Sequence, residues 1–164
     1  MRISKDQLKL YLVTDPILCK SFGLVETVIE AVKGGVTIVQ LRDKSSAKED
    51  LVKTGKILKK ILIGTNIPLI INDNVEAAIE SGADGVHIGK NDMQLEKVRS
   101  YVGKNMIVGF SCESVSDLKN LNSNAVDYIG ISPVFKTNTK TGFSNYLGLE
   151  GLKKISSLTS IPKV

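Results

Sequence analysis

The stretch Ile70–Asp92, IINDNVEAAIESGADGVHIGKND, decides the fold. It picks up an apolar run, Pro68-Leu69-Ile70-Ile71, which stops at Asn72-Asp73. A helical segment from Val75 to Ser81 follows, with a glycine at its end. A second apolar run, Val86-His87-Ile88, then stops at Gly89, and Asp92 lies just beyond. Short apolar runs bounded by turns and separated by helices are the pattern of parallel strands covered on both faces. Asp73 and Asp92 therefore fall just past the C-terminal ends of two successive strands. In α/β proteins that edge binds ligands, because loops and helix N-termini open there. Two readings stay open. Each carboxylate alone is well explained as a cap on the helix after it. As a pair, they suggest a Mg²⁺ site serving a phosphate-bearing substrate.

Outward from this stretch the same unit recurs. Strands are expected at Leu10 to Val13, Thr37 to Leu41, Ile67 to Ile71, Gly85 to Ile88, Met106 to Phe110 and Tyr128 to Ile131. Helical spacing marks residues 23–33, Ala47 to Ile63, Leu95 to Tyr101, Ser114 to Leu121 and Leu149 to Leu158. A faint repeat underlies this order. Ala31 to Gly35 leads into Val39-Gln40-Leu41 as Ala78 to Gly82 leads into Val86-His87-Ile88. Equivalent βα units favour a (β/α)₈ TIM barrel, and no glycine fingerprint of a Rossmann or P-loop sheet is present. The whole chain, 1–164, reads as a single domain.

Composition narrows the function classes. The net charge is +5, but the lysines, such as Lys53, Lys56, Lys59 and Lys60, are spread along helices. Solvated helix faces explain them, and a nucleic-acid partner is not expected. No apolar run is long enough to span a membrane, and Met1 to Val13 does not read as a signal peptide. Cys19 and Cys112 fit neither a zinc spacing nor a disulfide framework, so reduced thiols and a cytoplasmic location are expected.

Chemistry gathers at the strand ends. Gln40, Arg42 and Lys44 alternate at period two and face one side of the second strand and its exit. An amide, a guanidinium fork and an ammonium together make an anion site. Asn72 adds an amide beside Asp73, and Ser111 and Ser132 close the fifth and sixth strands. The loop Lys136-Thr137-Asn138-Thr139-Lys140-Thr141-Gly142 offers hydroxyls, N–H groups and two lysines for a polyphosphate, or is simply a surface loop. His87, on an apolar strand at the position equivalent to Gln40, is as readily a packed core histidine as a catalytic one.

These residues bring the chain to a known family. It resembles the thiamine phosphate synthases, also called thiamine-phosphate pyrophosphorylases. The motifs are Leu10 to Asp15, Val39 to Lys44, Ile71-Asn72-Asp73, Gly85 to Gly89 with Asp92, Tyr128-Ile129-Gly130, Ser132 to Phe135, Thr137 to Lys140 and Gly148 to Leu152. The resemblance implies a transferase that joins hydroxymethylpyrimidine diphosphate to thiazole phosphate and releases pyrophosphate. It implies Mg²⁺ on Asp73 and Asp92. Arg42, Lys44, Asn72 and Lys140 would bind the diphosphate, Thr137 and Thr139 would line the substrate loop, and Gln40 and Ser111 would face the pyrimidine. Catalysis would fall to Lys140, Arg42 and Ser111. Small molecules are the partners expected, and a homo-oligomer is compatible with the family. Two positions depart from its pattern, Asn74 for arginine and Lys90 for glutamine. The rivals are a thiazole tautomerase relative and a non-catalytic phosphate-binding fragment. Asp73, Asp92, Arg42, Lys44 and Lys140 together argue against the tautomerase, while the missing strands favour a fragment for this polypeptide though not for its ancestry.

Length completes the expectations. Ser160 to Val164 resembles Asn66 to Ile70, the entry to the third strand. The barrel is thus expected to stop as a seventh strand begins, after six βα units. Loops after strands seven and eight, which bind the thiazole phosphate in the family, would be absent. A polypeptide of 1–164 alone is then expected to self-associate or to be poorly stable, and not to make thiamine phosphate at a useful rate.

Overall fold

Along each strand, alternate residues turn to opposite sides, and the two sides carry different chemistry. The computed structural model describes residues 3–137, 139 and 145–164. Its strands are β1 (Tyr11–Val13), β2 (Ile38–Leu41), β3 (Leu69–Asn72), β4 (Gly85–Ile88), β5 (Ile107–Cys112) and β6 (Tyr128–Ile131). Between and after them run α1 (Leu24–Lys33), α2 (Lys48–Leu62), α3 (Val75–Ser81), α4 (Leu95–Val102), α5 (Val115–Lys119) and α6 (Gly148–Ser157). The strands pair in sequence order, all parallel, in one six-stranded sheet.

One set of positions packs under the helices. Val39, Leu41, Leu69, Ile71, Val86, Ile88, Val108 and Ile129 join the inward stripes of the helices, such as Val28, Leu58 and Val98, in the larger core. The other set faces the opposite side. There Ile38, Ile70, Ile107 and Tyr128 form a second, smaller core closed by Ile3 and Leu8. Leu8 belongs to a 3₁₀ turn, Asp6–Leu8, that is too short to show a period in the sequence. Above that plug the same side turns polar, at Gln40, Asn72, His87 and Ser111.

The sheet is curled into a half-barrel. In a flat sheet, five steps of about 4.8 Å would hold β1 and β6 about 24 Å apart. Yet the hydroxyl of Tyr11 on β1 lies 2.6 Å from that of Tyr128 on β6. Two tyrosines reaching toward each other span only part of 24 Å, so curvature supplies the rest. Beyond β6, Val164 N donates to Ile129 O and Ile131 N donates to Val164 O, which lays residues 162–164 parallel to β6 on its far side.

At the end opposite the polar residues, Arg99 clamps three elements. Its guanidinium pairs with Asp127 at 2.7 Å and donates to the carbonyls of Gly103, Met106 and Ala125. Asp127 in turn accepts from the Val108 N–H at 2.9 Å. Among the described residues, no helix is long and apolar enough to cross a membrane.

Candidate active site

At the C-terminal edge of the strands the curl encloses a cavity of about 360 Å³, lined by residues from all six strands. Gln40, Arg42, Asn72 and Ser111 all reach it, as the strand parity predicts. His87 and Ser132 line it as well. Gln40, His87 and Ser111 are buried, with 4%, 8% and 9% of their surface exposed, so polar groups here are held in a largely dry wall.

Arg42 is positioned from β1. Its N–H donates to Thr14 Oγ1 at 3.0 Å, and its Nη1 lies 3.4 Å from Asp15 Oδ2. Asp15 also accepts the N–H groups of Ile17 and Leu18 at 2.9 and 3.2 Å, which fixes the carboxylate in its own turn. The sequence signal for this role was Thr14-Asp15-Pro16 at a strand end. Lys44 sits beside the cavity, where its ammonium pairs with Asp73 at 3.0 Å.

Neither carboxylate caps a helix, so the capping alternative is overturned. Asn74 caps α3 by accepting the Ala77 N–H at 2.8 Å. Gln94 precedes α4 and makes no side-chain cap. Asp73 instead adopts a left-handed backbone, φ 61°, with its N–H donating to His87 O. Asp92 folds back to accept the Gly89 N–H at 2.6 Å. Its carboxyl is held above the ordinary aspartate range, first by partial burial and then by the charge of Asp73 beside it. The Gly89 N–H and the Lys44 ammonium act in the opposite sense.

A carboxyl held above its ordinary range by burial and by a second carboxylate beside it marks a site short of positive charge. Among the described residues, no three His, Cys, Asp or Glu side chains are grouped so that they could hold a metal ion. A two-carboxylate set suits Mg²⁺, which keeps waters and substrate oxygens in its remaining positions. It does not suit a structural zinc, which takes four protein ligands.

Beneath the mouth runs a chain of hydrogen bonds that local sequence patterns do not reveal. Gln40 Nε2 donates to the Tyr11 hydroxyl at 2.7 Å. The Tyr11 and Tyr128 hydroxyls meet at 2.6 Å. Tyr128 then meets His87 Nδ1 at 3.0 Å, and His87 Nε2 meets Ser111 Oγ at 3.0 Å. Burial pushes the Tyr11 phenol up to about 12 and that of Tyr128 well above its ordinary value. One signal was in the sequence: Gly109 and Gly130 interrupt two strands, which marks a close approach by a neighbour.

The remaining expectations divide. Thr137 and Thr139 join hydroxyls at 2.9 Å, and Thr139 lines the cavity. Lys140 and Asn138 lie outside the described residues. The two departures both find partners: Asn74 is the α3 cap, and Lys90 pairs with Glu113 at 2.7 Å.

Known proteins are similar to this chain in sequence and in fold. The family model described as thiamine monophosphate synthase matches residues 10–164. A thiamine-phosphate synthase of Psychrobacter sp. (strain PRwf-1) is 42% identical over 164 residues, covering 98% of this chain and 76% of that protein. One from Clostridium acetobutylicum is 43% identical over 156 residues, covering 95% of this chain and 74% of the relative. The solved thiamine phosphate pyrophosphorylase of Pyrococcus furiosus superposes with a TM-score of 0.84 at 33% identity, over 97% of this chain and 74% of that one. With the match running from β1 to the last residue, the chain belongs to the thiamine monophosphate synthase family.

Proposed function

We propose that this chain carries the pyrimidine and diphosphate sites of a thiamine phosphate synthase. The reaction joins hydroxymethylpyrimidine diphosphate to thiazole phosphate and releases pyrophosphate. One observation carries the reading. Gln40 and Arg42 from β2 and its exit, Asn72 from β3 and Ser111 from β5 come to one cavity, and Asp73, beside Asp92 and paired with Lys44, follows directly after Asn72.

In this reading the diphosphate lies against Arg42, Lys44 and Asn72, and Lys140 is assigned there on its motif alone. Arg42 grips oxygens with two N–H groups, and Asp15 keeps that fork from swinging away. Gln40 and Ser111 hold the pyrimidine, and Thr137 and Thr139 lie along the substrate loop. Asp73 and Asp92 would hold Mg²⁺, which supplies positive charge to the departing phosphate oxygens when bound. The methylene C–O bond breaks and both its electrons leave with pyrophosphate. The thiazole nitrogen then donates its lone pair to the methylene, forming the C–N bond. The electron-rich aminopyrimidine supports positive charge on the methylene between the two events. Cations fixed before reaction stabilise the charge that builds on the leaving group.

The finer fold belongs to the same proposal: the six strands are part of an eight-stranded barrel in one domain. The curl of the sheet and the pairing of residues 162–164 with β6 support it.

The test is formation of thiamine phosphate and pyrophosphate by the protein carrying this chain, with Mg²⁺ and both substrates. Replacing Arg42→Ala should lower turnover by about 100-fold or more. A folded protein that consumes neither substrate would overturn the assignment.

A further inference from the structure

The buried chain of hydrogen bonds has a direction, and that direction decides what the cavity offers a ligand. Each hydroxyl in it has one proton to give. The Tyr11 hydroxyl accepts from Gln40 Nε2, and among the described residues the Tyr128 oxygen is the acceptor within reach of its own proton, so placing the proton there leaves neither buried hydroxyl without an acceptor. The Tyr128 proton then goes to His87 Nδ1. With Nδ1 accepting, a neutral imidazole carries its proton on Nε2 and donates it to Ser111 Oγ. Two groups are left over at the ends, both on cavity-lining residues. They are the Gln40 carbonyl oxygen, an acceptor, and the Ser111 hydroxyl proton, a donor.

We propose that Tyr11, Tyr128 and His87 are positioning residues that fix this polarity and so select an amino-substituted pyrimidine over an oxo-substituted one. The amino group offers the N–H that the Gln40 carbonyl needs, and a ring nitrogen accepts from Ser111. An oxo-pyrimidine presents a carbonyl and a ring N–H instead, which sets acceptor against acceptor and donor against donor. Mismatched buried polar groups cost more than matched ones return, so such a site rejects strongly. The inference rests on the reading above that Gln40 and Ser111 hold the pyrimidine.

The packing around the relay supports it independently. A Cβ on Gly109 would overlap both Tyr128 and His87 at the point where they bond. A Cβ on Gly130 would lie 3.4 Å from His87 Cε1. The two glycines leave room for the imidazole between Tyr128 and Ser111. Both phenols hold their protons at neutral pH, so each is able to donate.

His87 is the single histidine, which makes the test direct. Protein labelled with ¹⁵N-histidine gives nitrogen signals from this ring alone. At pH 7 the expected pattern is a pyrrole-type Nε2 and a pyridine-type Nδ1. A reversed pattern, a charged imidazolium or an averaged pair would overturn the proposal. In Tyr128→Phe the fixed tautomer should give way to a mixture. The KM for the pyrimidine diphosphate should then rise about tenfold while that for thiazole phosphate stays within about twofold. An unchanged spectrum and unchanged KM values would remove the tyrosines from the role. Tyr11→Phe, one bond further from the ring, gives the same readout if Tyr128→Phe folds poorly. The nitrogen spectrum does not depend on turnover. Loss of the synthase reading through absent activity is therefore distinguishable from loss of the relay.

Discussion

Asp73 spends its whole length against convenience: a left-handed backbone at φ 61°, an ion pair to Lys44, and a second carboxylate beside it. Left-handed backbone is tolerated by asparagine as well as by aspartate. Asp73→Asn should therefore fold with a thermal midpoint close to that of the parent. Its pyrophosphate affinity, measured by calorimetry, should lose its dependence on Mg²⁺. Equal Mg²⁺ enhancement in both proteins would take the metal role from Asp73. Asp92 adds a pH signature. Its folded pKa is raised, so the native state holds the proton more tightly than the unfolded chain does. The stability it contributes is full below the ordinary value of 3.8 and is lost as pH rises through the raised folded value. Asp92→Asn should then melt above the parent at pH 7, and the gap should close below pH 3.8. Adding Mg²⁺ with pyrophosphate at pH 7 should reverse the order. A gap that is independent of pH would show that the carboxyl is not strained by its surroundings.

At the scale of elements, what was legible followed short periods. Val39-Gln40-Leu41 and Val86-His87-Ile88 placed β2 and β4 with their polar member inward, and both lie so. What was missed depended on partners. β3 starts at Leu69 and not at Ile67, because Pro68 between them has no N–H to give a ladder. β5 runs two residues past Phe110, since Ser111 and Cys112 find Gly130 and Ile131 on β6. Asn74 took the cap expected of Asp73, and one position in a turn is beyond what spacing can resolve. The Arg99 clamp was equally hidden, because its carbonyl partners carry no side-chain signal. Arg99 and Asp127 are 15% and 5% exposed, so removing one leaves the other buried without its main counter-charge. Arg99→Ala should cost about 3 kcal/mol in denaturant melts. The KM values should not change, because the clamp sits at the opposite end of the strands from the cavity. A loss under about 1 kcal/mol would show the pair to be replaceable by water.

Across the whole molecule, the site is made by curvature more than by any single loop. The strand ends collect Gln40, Arg42, Asn72 and Ser111 only because the sheet bends them toward a common axis. That the cavity would form was foreseeable from the repeat of βα units. Which buried groups would meet inside it was not, since Tyr11 and Tyr128 share no period. The bond between them has a consequence in time. It closes a loop of 117 residues, whereas Leu10 reaches Thr37, just ahead of β2, across 27. By polymer statistics the longer closure costs about 1 kcal/mol more entropy, before any surface it buries is counted. Neighbouring strands should therefore assemble early and the β1–β6 contact last. Tyr11→Phe removes that contact and should leave the refolding rate within about twofold while speeding unfolding about fivefold. Stopped-flow chevrons would read this directly, and a slowed refolding arm would place the two tyrosines in the nucleus instead. A late-closing contact is also an early-opening one. Amide exchange should thus find β1 the first strand to breathe, so that the pyrimidine wall loosens at its Tyr11 end while β4 and β5 still hold.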